Sequence, residues 1–422
     1  MTSQRPSKRT PSVRAWTALS VPLLILVTMS SAAAFDVVLS TQGEYMDGYL
    51  VNGKAFPPRV IVNDPDPHPP DSLSVPPYLG GRHLNGKVCF FPKSVRRHRR
   101  QYLVADDEYR EACLDPTPPQ ARCSVTNPRS KFYVGKSLDG WAVFKANGRW
   151  TRQHINVAGE PAVDQNNDPQ GAKDPQGCAF LPDGRLLATD VGSEIVGVND
   201  GALMVFFPHG PHGGYESYCF LDKGLADPGM PVLDDAGNLY VPEPQAAKVT
   251  KFSPPYPSSP ADCANPDLLV TTPPQKSTWL AGGGAGGLSV PVSITRVHGS
   301  DHFYVAGAIF PPIINEYDAN GAFVRNIVPA NVPKNPLGMD VGSDGTLYYA
   351  ELNLDPVTFN PRCGSVSMVQ FDAAGNPQSP VTLGMHLQFP DGITVVESSR
   401  LKIQFNRLQP SPDIPASECG GE

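Results

Sequence analysis

The 422-residue sequence lacks the short motifs that mark several common classes of enzyme. It contains no Gly-x-Ser-x-Gly, which disfavours the nucleophilic serine of an α/β-hydrolase, and no His-Glu-x-x-His, which excludes a zinc protease of the zincin type. None of its eight cysteines forms a Cys-x-x-Cys pair, so neither a zinc knuckle nor a thioredoxin-type redox site is indicated. The stretch "AGGGAGG" at 281–287 is not followed by Gly-Lys-Ser/Thr, so we interpret it as a flexible loop rather than a phosphate-binding loop.

Charged residues are also scarce. They make up 18% of the chain and leave a net charge of −7, so we expect no nucleic acid as a partner. Turn-forming residues are abundant instead, with 39 glycines and 47 prolines. Such frequent interruptions disfavour long helices and favour many short strands joined by turns.

Long hydrophobic runs are absent except near the N-terminus. There "AWTALSVPLLILVTM" follows a basic segment and precedes "SSAAAF". This order predicts a secretory signal peptide over residues 1–34, cleaved after Ala34, because the apolar run is shorter than the about 20 residues of a bilayer span. The alternative is a retained membrane anchor. We expect a secreted or periplasmic protein with no membrane contact after cleavage.

All eight cysteines follow the predicted cleavage site, and an even number in an exported chain suggests disulfide bonds. Cys113 and Cys123 form the easiest local pair. The sequence leaves the remaining connectivity open.

The central part of the sequence repeats one pattern. Its three clearest copies are "DPQGCAFLPDGRLLATD" (174–190), "PGMPVLDDAGNLYVPE" (228–243) and "NPLGMDVGSDGTLYYAE" (335–351). In each copy, 15 residues separate the opening proline from the final acid. Two apolar runs around a glycine-containing turn predict a β-hairpin.

Weaker openings at Pro291 and Pro390 extend this series to five, spaced 45 to 63 residues apart. Repeats of this length built from short strands predict the blades of a β-propeller. We expect an all-β fold with six blades, five or seven being the alternatives, and one blade shared by the N- and C-terminal strands. The predicted propeller covers 131–408, after a Pro-rich region (35–130) that is separate or part of the first blades, and before a tail (409–422).

The repeat resembles NHL repeats and the gluconolactonase (senescence-marker-protein) propellers in its order of Pro-x-Gly, apolar strand, Asp-Gly and "LYVxE/D". Streptogramin lyases have a similar repeat pattern. The resemblance covers about 175–400. It implies a propeller fold, but the group includes lactonases, esterases, strictosidine-synthase-like enzymes, lyases and binding modules. Fold alone does not choose among these activities.

In a propeller, the Pro-x-Gly openings and the acids that end the second strands share one face. Asp190, Glu243 and Glu351 are therefore predicted to lie around one mouth of the central channel. Converging carboxylates repel one another, and a divalent cation such as Ca²⁺ would relieve that repulsion. The alternative is that each acid only accepts hydrogen bonds from backbone N–H groups.

The resemblance to the gluconolactonases adds Asp391, in "FPDGI", as a metal ligand, because the corresponding Asp holds the metal in those enzymes. Gln176, at the matching position of another opening, could offer a carbonyl oxygen. His386, four residues before Pro390, is the candidate general base. "HGSDH" (298–302) has the spacing of a ligand pair but falls in a hairpin turn on the opposite face.

These residues predict a metal-dependent hydrolase of small esters or lactones, in which the metal polarises a carbonyl group. The main alternative is a non-catalytic propeller that binds a protein or glycan. A lyase of the streptogramin type, or a strictosidine-synthase-like enzyme, is a further alternative. We expect a monomer.

Overall fold

A computed structural model describes residues 35–41, 45–51, 59–60, 83–92, 94–95, 101–107, 140–145, 150–155, 175–192, 197–209, 214–215, 217–264, 268–354, 363–388 and 390–397. These residues form 24 strands and two short 3₁₀ helices, Pro244–Ala246 and Pro260–Asp262. No helix in this part of the chain has the length and apolar character of a membrane span.

The strands assemble into six antiparallel four-stranded sheets. Sheet 1 combines the two ends of the chain and runs in the order β24 (Pro390–Glu397), β1 (Phe35–Thr41), β2 (Tyr45–Val51), β3 (Arg59–Val60). Sheet 2 contains β4 (His83–Phe90), β5 (Gln101–Asp107), β6 (Gly140–Lys145) and β7 (Trp150–Ile155).

The other four sheets each use four consecutive strands. Sheet 3 contains β8 (Pro175–Phe180), β9 (Leu186–Asp190), β10 (Gly201–Phe207) and β11 (Ser217–Leu225). Sheet 4 contains β12 (Val232–Leu233), β13 (Leu239–Glu243), β14 (Lys248–Ser253) and β15 (Gln275–Ala281). Sheet 5 contains β16 (Pro291–Arg296), β17 (Phe303–Gly307), β18 (Ile313–Tyr317) and β19 (Phe323–Val328). Sheet 6 contains β20 (Pro336–Val341), β21 (Leu347–Glu351), β22 (Cys363–Val369) and β23 (Val381–Gln388).

Glycine turns form the predicted hairpins. Gly184, Gly237 and Gly345 have φ of +98°, +81° and +84°, in the left-handed region that favours glycine. Each donates its N–H to the carbonyl of the residue three positions earlier. The turns of the three clearest repeats therefore have the geometry that their sequences predict.

The hydrophobic core lies between neighbouring sheets. One cluster joins sheets 2 and 3, the next joins 3 and 4, and others join 4 to 5, 5 to 6 and 6 to 1. Trp141 and Phe206, for example, meet edge to face with ring centroids 5.5 Å apart. One hairpin cannot bury both of its faces, and face-to-face packing of successive sheets solves this. The fold is an all-β, propeller-like arrangement.

The first strand of each sheet is also its innermost strand, and in sheet 1 that strand is β24. Neighbouring inner strands approach so closely that side chains do not fit between them. A Cβ atom on Gly86 would overlap the carbonyl oxygen of Gln176, and one on Gly392 would overlap that of Gly86. Gly338 is held in the same way by the carbonyl of Asp391. The glycines of the openings thus permit close backbone packing around the axis.

Residues before 131 contribute to this architecture. Strands from 35–107 belong to sheets 1 and 2, and β24 pairs with β1 from Phe35↔Glu397 to Thr41↔Pro390. The pairing of the two ends in one sheet agrees with the sequence-based expectation. The domain boundaries at 131 and 408 stay predictions.

Two disulfide bonds lie in the described part of the chain. Cys89–Cys178 joins the inner strands of sheets 2 and 3, with Cα atoms 6.1 Å apart. Cys219–Cys263 joins β11 to the residue that follows the second 3₁₀ helix, with Cα atoms 5.8 Å apart. The predicted Cys113–Cys123 pair lies outside the described residues.

Candidate functional site

Glu351, at the end of β21, is buried and accepts three hydrogen bonds. The N–H of Lys334 donates to Oε1 over 2.9 Å, and the hydroxyls of Ser365 and Ser367 each donate to Oε2 over 2.7 Å. Lys334 precedes the inner strand β20, while both serines lie on β22. The carboxylate therefore ties the loop that enters sheet 6 to the third strand of that sheet.

Glu243 occupies the same position in sheet 4 and is also buried. Its Oε2 accepts a hydrogen bond of 3.1 Å from the N–H of Ala226, in the loop that enters the sheet. Its Oε1 accepts a hydrogen bond from the hydroxyl of Thr250 and lies 3.3 Å from Nζ of Lys248. This arrangement matches that of Glu351.

Asp190 ends β9 in sheet 3 and is buried. Its Oδ1 accepts a hydrogen bond of 2.9 Å from the N–H of Gly192, in the loop that follows the strand. Each of the three acids that end second strands thus accepts a hydrogen bond from a backbone N–H group in a loop beside its own sheet.

Asp391 differs because it connects two sheets. It lies on the inner strand β24 with no exposed surface, and its Oδ2 accepts a hydrogen bond from the N–H of Gly86 on β4. The carbonyl of Gln176, at the opening of β8, contacts the same glycine. Asp391 and Gln176 therefore both lie against Gly86, at the openings of three inner strands. Their predicted role as metal ligands stays a prediction.

His386 lies on β23, the outermost strand of sheet 6. Its side chain lies outside the described residues. Three inter-strand steps separate β23 from β20, which corresponds to roughly 14 Å. We therefore derive no catalytic step through His386, and its role as a base stays a prediction.

Among the residues whose side chains are described, no three His, Cys, Asp or Glu residues group closely enough to hold a metal ion. The carboxylates of Glu243 and Glu351 use both of their oxygens for hydrogen bonds inside the protein. These two glutamates therefore do not fit as ligands of a multidentate Ca²⁺ site, which takes six to eight oxygen ligands. A metal at this face stays a prediction, and no step is derived through it.

The structure adds two charged residues that the sequence analysis missed. Lys87 lies on the inner strand β4 and Asp340 on the inner strand β20, so sheet 1 separates their two sheets. Asp340 accepts a hydrogen bond of 2.8 Å from the N–H of Val395 on β24 and one of 3.4 Å from the hydroxyl of Thr295 on β16. Its carboxylate thus bridges the inner strands on both sides.

Lys87 and Asp340 influence each other's ionisation. Burial lowers the pKa of the Lys87 ammonium, while the negative charge of Asp340 opposes this change. Burial likewise raises the pKa of Asp340, against the charge of Lys87 and the hydrogen bonds from Val395, Val341 and Thr295. Both side chains nevertheless keep accessible surface.

These two residues carried a signal in the sequence. Each is the one charged residue in an otherwise apolar or small-residue inner strand, "LNGKVCF" and "PLGMDV". A charge at such a position lies among strands that pack closely around the axis. The sequence analysis weighed only the residues at the strand openings and ends.

Known proteins resemble this chain only distantly. No family model and no curated protein matches the chain. Among solved structures, a nidogen/laminin complex has 12% identity and a TM-score of 0.47, covering 86% of this chain and 98% of that chain. A Bacteroides caccae protein of unknown function has 12% identity and a TM-score of 0.45, covering 86% and 99%. A Bacteroides fragilis protein provisionally named 6-phosphogluconolactonase has 11% identity and a TM-score of 0.45, covering 87% and 99%. At these identities and TM-scores, the functions of those proteins cannot be assigned to this chain.

Proposed function

We propose that this chain is an exported, closed six-bladed propeller that hydrolyses small esters or lactones in its central channel. The ring is supported by the six sheets, by the core clusters that join successive sheets, and by the pairing of β24 with β1. The hydrolase proposal rests on one observation, the opposite charges of Lys87 and Asp340 on inner strands of two sheets.

Enclosing an ammonium and a carboxylate without direct ion-pair contact is costly. Desolvation of each ion opposes burial, and apolar residues of similar size would be at least as stabilising. Shifts of the Lys87 and Asp340 pKa values towards neutrality are typical of groups that exchange protons during a reaction. These features favour a chemical role over a purely structural one.

The pair can carry out acyl hydrolysis without further groups. Ionised Asp340 takes a proton from a water molecule as the water oxygen bonds to the acyl carbon. The ammonium of Lys87 stabilises the negative charge that develops on the carbonyl oxygen. The bond to the alkoxy oxygen then breaks, and the proton held by Asp340 passes to that oxygen. An ester yields an acid and an alcohol, and a lactone yields a hydroxy acid.

The resemblance to gluconolactonases also implies a divalent cation held by Asp391 with neighbouring oxygens, and such a cation would polarise the carbonyl group. This part of the proposal has its own test. A metal bound only to the native state raises the thermal midpoint, so EDTA should lower the midpoint of the wild-type protein but not that of Asp391→Asn. Equal midpoints with and without EDTA would remove the metal from the proposal.

The hydrolase proposal is tested with the chain beginning at residue 35, against p-nitrophenyl esters and γ- and δ-lactones. Lys87→Met and Asp340→Asn should each lower kcat/KM by about 100-fold or more, the range of a general acid–base contribution. Lys334→Met, an exposed lysine on a loop, is the matched control and should keep full activity. Activity unchanged in both channel variants would refute the assignment.

A non-catalytic channel is the second candidate, since the hydrogen bonds of Asp340 to Val395 and Thr295 would also stabilise neighbouring blades. In that case, the wild-type protein hydrolyses none of the panel, and Asp340→Asn changes only the thermal midpoint. The same variants therefore distinguish the two candidates.

A further inference from the structure

A groove lies between sheets 5 and 6, at the ends of the sheets opposite to the Pro-x-Gly openings. Its volume is about 440 Å³, within the range of small-molecule sites. The hairpin turn of β20 and β21 forms one wall, and the segment that follows β22 forms another. The groove is separate from the central channel and shares no residue with it.

Aromatic rings form part of the groove. Tyr304 on β17 and Phe371 after β22 are nearly parallel, with an interplanar angle of 6° and centroids 6.0 Å apart. Tyr304 is buried, whereas Phe371 keeps part of its surface accessible. An accessible aromatic face among polar groups suits a ligand that has both an apolar side and hydrogen-bonding groups.

A fixed guanidinium group lies beside these rings. Arg325 donates from Nε to Glu316 over 2.7 Å and from a terminal nitrogen to the carbonyl of Gly375, on the neighbouring sheet, over 2.6 Å. Its guanidinium carbon lies 5.8 Å from the centre of the Phe371 ring. Because two partners hold Arg325 in place, its orientation in the groove is set before a ligand arrives.

The charges of the groove argue against an anionic ligand. Glu316, which is buried, neutralises Arg325 and also lies 2.6 Å from Nδ1 of His302. The exposed carboxylate of Asp344 adds a further negative charge, and the rim is completed by the neutral amides of Gln370 and Gln378. Donors and acceptors are mixed without an excess of positive charge.

We propose that this groove binds a neutral carbohydrate, with one sugar ring against Phe371 and its hydroxyls bonded to Asp344, Gln370 and Arg325. A sugar ring presents C–H groups on one face and hydroxyls around its edge, which matches an aromatic surface bordered by carboxylate, amide and guanidinium groups. This site is independent of the channel reaction and holds whether or not the protein is a hydrolase.

The test is isothermal titration of the chain beginning at residue 35 with maltotriose, cellotriose and triacetylchitotriose as neutral probes, and with citrate as an anionic probe. At least one neutral probe should bind, and citrate should not. Phe371→Ala should weaken that binding about three- to tenfold, as expected for loss of an aromatic contact. Gln370→Ala, which changes an exposed side chain, should weaken it about two- to tenfold through loss of a hydrogen bond.

Val324→Ala is the matched control, because Val324 precedes Arg325 on β19 and so points to the other face of the sheet. This variant should bind as the wild-type protein does, and circular dichroism confirms that each variant is folded. The proposal is overturned if no neutral probe binds, if citrate alone binds, or if Gln370→Ala and a folded Phe371→Ala both bind with wild-type affinity.

Discussion

Replacing Glu351 with glutamine separates the structural role of the strand-ending acids from a role in metal binding. In the native protein, Oε2 accepts two hydroxyl hydrogen bonds of 2.7 Å and Oε1 accepts a backbone N–H at 2.9 Å. Glutamine has the same shape but offers one acceptor oxygen and no charge. Hydrogen bonds to a charged group contribute about 1.5–3 kcal/mol each, and neutral ones about 0.5–1.5. Converting the two hydroxyl bonds should therefore cost about 2–3 kcal/mol, and loss of the bond from Lys334 makes this a lower bound.

This loss of free energy of unfolding corresponds to a fall in the thermal midpoint. Unfolding entropy of about 2.1 cal/mol/K per residue gives roughly 0.8 kcal/mol/K for the chain beginning at residue 35, so the midpoint should fall by at least about 3 °C. Differential scanning calorimetry in EDTA measures this shift. In a protein that already carries Ser365→Ala and Ser367→Ala, Glu351→Gln should lower the midpoint much less than it does in the wild-type protein, because the two hydroxyl hydrogen bonds are already absent. An unchanged midpoint in EDTA, with a loss only when calcium is present, would refute the structural role and support a metal ligand.

Three further outcomes are expected. Gly86→Ala should lower the midpoint by at least several degrees, because φ is +66° and a Cβ atom would overlap the carbonyl of Gln176. The pKa of Lys87 is lowered from 10.5 in the folded protein. Between that lowered pKa and 10.5, the folded protein binds fewer protons than the unfolded chain, so the free energy of unfolding rises with pH in this range. Lys87→Met should make this rise smaller, as measured by calorimetry at alkaline pH. Serine at both Cys219 and Cys263 should lower the free energy of unfolding by about 2–4 kcal/mol in denaturant titrations, and reductant should destabilise the wild-type protein more than this double variant.

The repeats made much of the fold predictable. Pro336 to Glu351 carries an opening, a glycine turn and a final acid, and the structure places two paired strands there. Strands β1 to β5 were not located individually, although a blade shared by the two ends was expected, because "HLNGKVCF" and its neighbours lack the opening proline by which the repeat was recognised. The sheets form there because neighbouring sheets bury their apolar faces, and that contact depends on tertiary packing rather than on a local pattern.

The candidate site was predictable only in part. The opening motif located Asp391 and Gln176, which both contact Gly86. Lys87 and Asp340 were missed because their interaction joins strands that are far apart in the sequence. Periodicity identifies the inner strands but does not say which of their side chains influence each other across the axis.

The pairing of β24 with β1 has a consequence for biosynthesis. The edge of β1 that pairs with β24 stays unpaired until residues 390–397 have been synthesised. Sheet 1 therefore cannot be completed before that point of synthesis. Loss of β24 would leave that edge of β1 unpaired and would also remove the strand that lies between β4 and β20.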